Sequence, residues 1–407
     1  MHTRRHLLRA ALAGATLAPW ARLSLAANPT PQAAGANRFV MLILRGGLCG
    51  LTAVPALGDP HFAEARGALA TWVGEPLPLD TTFALNPLLP QLHALYAKRE
   101  LAVLHAVGLP YRERSHFDAQ QVLESGGTRP YELSTGWLGR ALASGAPGAL
   151  PIKAVALETA VPLLLRGPAD VDTWAPSAMP EPSADLVARL EGMYRNDPAL
   201  AQALTRAREL RAEPGMAANP QPMAGGNAGR GGNNLGRNAA VTLARKAADF
   251  LQRGSQVAVM EMGGWDSHAN QAAPTGATSN NLRLLDATLA ALHEGLQAGG
   301  TWGRTVVLVA TEFGREVAIN GTQGTDHGTG GAALLLGGAV KGGQVLSDWP
   351  GLARKDRFEG RDLRITTDLR QVLRPILAQH LQVPRRALDG DVLPGSSGLA
   401  ALDVLKG

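Results

Sequence analysis

The chain has 407 residues, 45% of them hydrophobic and 18% charged, with a formal net charge of +5 and one cysteine, Cys49. This is enough apolar material for a sizeable core, and a lone cysteine excludes an intrachain disulfide framework. Arg4, Arg5, Arg9 and Arg22 lie within residues 1–26, which hold no Asp or Glu, so the rest of the chain carries about +1. No sustained basic patch with interleaved aromatics follows, which argues against nucleic acid as a partner.

The N-terminus, "MHTRRHLLRAALAGATLAPWARLSLAANP", has the layout of an export signal. A twin arginine precedes Leu7-Leu8, an Ala/Leu-rich stretch and a small-residue site near Ser24, Ala26 and Ala27. "TRRHLL" resembles the twin-arginine translocation signal, so residues 1–27 are read as a signal peptide and the mature protein as periplasmic or secreted. The apolar part is short and interrupted by Pro19, so no stable membrane span is expected after cleavage. Residues 28–407 are read as a single domain.

In chain order, "FVMLIL" (39–44) reads as a fully buried strand that breaks at Gly46-Gly47, two residues before Cys49. A helix is expected over 86–100, a strand over 101–107 and a second helix over 115–126. Residues 212–238 are Gly/Asn/Pro-rich and read as a mobile surface loop. "QVAVMEM" (256–262) and "TVVLVA" (305–310) are further buried strands. Between them Leu285, Leu289, Leu292 and Leu296 recur at helical spacing, which makes a βαβ unit. A last helix is expected over 367–381, kinked at Pro375. The chain reads as α/β.

The polar clusters follow the strands, where ligands bind in parallel α/β sheets. "FVMLIL" runs into "RGGLCG", "VAVMEM" into "GGWDSH", and "TVVLVA" into "TEFGR" and then "GTDHGTGG". Asp266 with His268, Glu312, and Asp326 with His327 offer three carboxylates and two imidazoles. That set suits one or two divalent cations, with zinc favoured by the imidazole share and Mn, Mg or Ca as alternatives. In "RERSHFDAQ", Ser115 has an adequate reason to be present as a helix N-cap; its functional reading is a nucleophile at the helix N-terminus. His116 is read either as a ligand or as a polar residue packed on its loop. Arg112, Arg114 and Arg315 are read either as clamps for an anionic ester or as solvated side chains. A nucleotide-binding role for the first Gly-rich turn lacks both a GxGxxG spacing and a later acidic partner, and is set aside.

Taken together, "LRGGLCGL", "RSHFDAQQVLESG", "GGWDSHANQ", "TEFGRE" and "NGTQGTDHGTGGAALLLGGAVKGG" resemble the bacterial DUF1501 proteins of the alkaline phosphatase/sulfatase superfamily. The resemblance implies a three-layer α/β/α sandwich, alkaline-phosphatase-like, with a mostly parallel central sheet and a metal site at the sheet's carboxyl edge. It implies metal-dependent hydrolysis of phosphate or sulfate esters, with Asp266, His268, Glu312, Asp326 and His327 as ligands. Ser115, beside His116, falls near the position of the nucleophile, and Arg114 and Arg315 are candidates for binding the anion. The family usually has Asp where this chain has Cys49. Three readings follow: Cys49 ligates zinc as a thiolate, the site has lost a ligand, or Cys49 is buried and inert. Conversion to formylglycine needs a C-x-P-x-R context, which "CGLTA" lacks. Loss of a ligand would make the protein a catalytically impaired metal-binding or scaffold protein of the cell envelope that acts through a protein partner.

Overall fold

The computed structural model describes residues 35–145, 152–176, 184–211 and 239–407. The expected signal peptide and the loop at 212–238 lie outside these residues. Residues Asn37–Gly407 form one compact unit. Among the described residues no helix is long and apolar enough to cross a membrane.

The unit is built on a nine-stranded sheet. In chain order its strands are β1 (Arg38–Leu44), β2 (Leu101–Gly108), β3 (Ala154–Ala156), β4 (Val171–Thr173), β5 (Val257–Met262), β6 (Thr305–Thr311), β7 (Gly331–Leu336), β8 (Gln344–Leu346) and β9 (Thr367–Asp368). Across the sheet the order is β8-β2-β7-β6-β1-β5-β3-β4, with β9 also paired to β2. β1 lies between β5 and β6, parallel to both, in a register that pairs Leu42 with Met260 and Val309. Only β7 runs against its neighbours β2 and β6.

The helices are α1 (Pro90–Ala97), α2 (His116–Ser125), α3 (Trp137–Ala143), α4 (Ala184–Tyr194), α5 (Pro198–Arg211), α6 (Ala239–Gln252), α7 (Ala277–Ala298) and α8 (Leu369–Pro375). α1, α6 and α7 cover one face of the sheet and α2, α3 and α8 the other, because its strands are apolar on both sides. In β1, Val40, Leu42 and Leu44 enter a core shared with α1, α6 and α7. Phe39, Met41 and Ile43 enter a second core shared with α2, α3 and α8. Every residue of β1 is buried, so it reads as a continuous apolar run and does not alternate. The result is a three-layer α/β/α sandwich with a mostly parallel sheet.

Local chemistry sets the helix ends. α1 starts at Pro90, whose missing N–H is harmless in the first turn, so the helix expected from residue 86 begins later. α2 stops where Gly126 takes a left-handed conformation with φ 71°. Beyond Pro375, α8 does not resume as a kinked α-helix but widens into a π-type turn over Ile376–His380.

Candidate metal centre

Five chain segments reach one edge of the sheet. β1 leads into Gly46, β5 into Asp266 and His268, and β6 into Glu312. β2 leads through a short loop to His116 at the first turn of α2. Because β7 runs in reverse, the residues that precede it, Asp326 and His327, arrive at the same edge. Two glycines permit the close approach. Gly46 has φ 115°, and a Cβ there would meet the Asp266 amide nitrogen at 2.6 Å. A Cβ on Gly324 would overlap the backbone of His268.

At the centre is His327. Its Nε2 lies 3.0 Å from His116 Nε2, 3.1 Å from His268 Nε2 and 3.2 Å from Asp266 Oδ1. Asp266 Oδ1 is also 2.9 Å from His268 Nε2, and Asp266 Oδ2 is 3.5 Å from His116 Nε2. The outer nitrogen of each ring is anchored. His116 Nδ1 is 2.8 Å from the Glu312 carboxylate, His268 Nδ1 is 2.9 Å from Asp326, and His327 Nδ1 is 3.0 Å from the carbonyl of Arg114. An acceptor at each Nδ1 places a proton there and leaves the Nε2 lone pair facing inward.

A second ring of contacts holds these anchors. Glu312, its side chain wholly buried, also accepts from the Gly46 amide at 2.8 Å and from Gln120 Nε2 at 3.0 Å. Asn320 donates to Asp326 at 3.1 Å. Arg315 donates to Asp266 at 2.6 Å and to the carbonyl of Thr325. The inner residues remain open to solvent, since the side chains of Asp266 and His268 are 44% and 46% exposed.

Charge follows the same pattern. Burial pushes the Asp266 carboxyl up, but the bond from Arg315 pulls it below the usual range. Glu312 is also held low against burial by its bonds from His116 and Gln120. Bonds from His268 and Asn320 hold Asp326 low. Burial lowers His116, and Glu312 more than offsets this, so the ring stands above the ordinary imidazole range. Burial, aided by neighbouring His116, leaves His327 below that range.

The donor set fits a divalent cation. The donor atoms of His116, Asp266 and His327 lie within 4.8 Å of one another. Imidazole nitrogens with a carboxylate oxygen are characteristic zinc ligands, and a ligating histidine ordinarily gives its other N–H to a carboxylate or carbonyl.

The sequence-based expectations map onto this geometry unevenly. Asp266, His268 and His327 come together as expected, and His116 joins them on its ligand reading. Two expected ligands are corrected: Glu312 and Asp326 stand behind His116 and His268, where they orient the rings. Cys49 is corrected too, because its Sγ lies in a separate buried pocket against Arg66 and Thr52, 3.2 Å from each. Neither expected anion clamp is free. Arg315 is engaged by Asp266, and Arg114 donates to Asp362 at 2.7 Å and Glu359 at 2.5 Å. Arg112 lies over the ring of Phe358. Ser115 takes the N-cap position of α2, yet its side chain makes no capping bond. Gln120 was not foreseen; its signal is the one-turn spacing from His116.

The sequence family DUF1501, described as a protein of unknown function, matches residues 93–392. The chain belongs to the DUF1501 family. In this DUF1501 protein the matched span takes in all the histidines and carboxylates of the centre, and Cys49 precedes it. No curated protein matches the chain in sequence. Among solved structures, a sulfatase from Pseudoalteromonas sp. is similar at 11% identity and a TM-score of 0.40, over 77% of this chain and 65% of that one. A phosphonate monoester hydrolase of Agrobacterium radiobacter is similar at 10% identity and a TM-score of 0.39, over 86% and 74%. A protein in the alkaline phosphatase superfamily from Vibrio parahaemolyticus is similar at 12% identity and a TM-score of 0.37, over 74% and 60%.

Proposed function

We propose that this DUF1501 protein is an exported hydrolase of anionic esters, phosphate or sulfate, that holds one divalent cation, zinc favoured, at His116, Asp266, His268 and His327. The observation that carries the reading is the anchoring of three imidazoles by their Nδ1 atoms, which turns three Nε2 lone pairs toward one carboxylate. A cation bound there supplies Lewis acidity toward an ester oxygen. The protein's own groups do the rest. Glu312 and Asp326 fix the tautomers, and Arg315 keeps Asp266 ionised and oriented. Ser115, uncommitted as a cap and adjacent to His116, is the candidate nucleophile. The ester class rests on the motif resemblance to the alkaline phosphatase/sulfatase superfamily. The test is a panel of aryl phosphates and sulfates assayed with and without a chelator. Hydrolysis that chelation leaves untouched would sink the proposal.

A further inference from the structure

Cys49 is the one cysteine of the chain and is buried. Proton accounting around it starts from Gln271, which is 1% exposed. Its Oε1 accepts from Ser267 at 3.1 Å and from Thr325 at 2.7 Å, which orients the amide so that Nε2 donates to Thr52 Oγ1 at 2.6 Å. Thr52 Oγ1 accepts a second bond, 3.0 Å, from Arg66 Nη2. With both lone pairs engaged, Thr52 directs its own proton at Cys49 Sγ, 3.2 Å away. Arg66 Nη2 also donates to Sγ at 3.2 Å. The sulfur therefore faces donors, and a thiol proton has no acceptor among them.

A second observation, independent of the cysteine, is the state of Arg66. It is 0% exposed, and among the described residues no carboxylate lies within ion-pair distance of it. Its Nη1 donates to the carbonyls of Val317 and Glu316 at 2.7 and 3.3 Å, and its buried Nε has no hydrogen-bond partner. A wholly buried guanidinium requires a counter-charge. Among the described residues, Cys49 is the only group hydrogen-bonded to it that can become an anion.

We propose that Cys49 is held as a thiolate, the counter-ion of Arg66, and that this buried pair positions Asp266. Two routes connect them. Arg66 holds the carbonyls of Glu316 and Val317, immediately after Arg315. Thr52 holds Gln271, which holds Thr325, and Thr325 in turn accepts from Arg315 Nε at 3.4 Å. Arg315 then fixes Asp266. Cys49 is thus a positioning residue, with the charge of its sulfur as the working feature. The direction of its titration agrees: burial raises the thiol, and Arg66, Thr52 and Gln271 together lower it further than burial raises it.

The pair is tested first in the wild-type protein by Raman spectroscopy of the S–H stretch, which in this chain comes from a single residue. The native protein at neutral pH should show no S–H band, and the band should appear when the protein is unfolded in acid. A band in the native protein would overturn the proposal. The positioning role rests on the metal reading above and is tested by zinc titration of Cys49→Ser and Cys49→Asp. Cys49→Ser, which removes the charge, should weaken zinc binding roughly tenfold, and Cys49→Asp should recover most of it. Wild-type affinity in Cys49→Ser would refute the positioning role. Failure of the wild type to bind zinc would instead refute the metal reading and leave the Raman result to decide the ion pair by itself.

Discussion

Beside the metal centre, Arg45 follows β1 and binds two carboxylates, while a third, Glu158, stands near it just after β3. Arg45 donates to Glu124 at 2.8 Å and, through Nε, to Glu261 at 2.9 Å. Glu158 has a buried Oε1 without a partner. Burial, reinforced by the charge of Glu261, pushes the Glu158 carboxyl from 4.5 up to about 8. The folded protein therefore keeps this proton up to about pH 8, whereas the unfolded chain releases it near pH 4.5. Stability from this group is complete below about pH 4.5 and drains away as pH rises to about 8, at ~1.4 kcal/mol per pH unit. Because Glu158 keeps some contact with solvent, the whole loss is a few kcal/mol. Glu158→Gln keeps the shape and removes the titration. Denaturant midpoints of both proteins at intervals from pH 5 to pH 9 should nearly coincide at the acid end and diverge toward alkaline pH, with the variant the more stable. A constant offset across the range would refute the reasoning, because it would mean that Glu158 is already ionised at the acid end.

Glu312→Gln and Asp326→Asn should each weaken zinc binding about 10- to 100-fold, measured by competition with a chromophoric chelator, because each loosens the tautomer and orientation of one imidazole. Asp266→Ala should abolish both metal retention and ester hydrolysis, with elemental analysis and turnover read on the same sample. Leu335→Ala in β7, at a fully buried site, should lower unfolding stability by roughly 2–5 kcal/mol and leave metal content unchanged, which a denaturant titration of the metal-loaded protein checks.

The long strands were legible because each is an uninterrupted apolar run. β1, β2, β5 and β6 coincide with the expected runs to within a residue at either end. β3, β4 and β8 were not, since three residues are too few to carry a period. β7, "GAALLL", is short and lies among glycines, so no strand was expected there, yet its reversed direction is what delivers His327 to the right edge. Asp266, His268 and His327 were legible from their places next to strand ends. Glu312 was recognised as part of the centre but given the wrong layer, because whether a carboxylate touches a metal or a histidine depends on where His116 lands, 196 residues away in sequence. The ligand reading of Cys49 failed for a related reason, whereas its expected burial is what the fold shows. Its neighbours in sequence are at the site, but its side chain turns toward Arg66, and no spacing rule discloses that.

The central claim is that the three imidazoles and Asp266 hold a metal ion. Elemental analysis of the purified protein beside His327→Ala tests it most directly. The account predicts near-stoichiometric zinc in the wild type and almost none in the variant. A metal-free wild type, or equal metal in the two proteins, would contradict it.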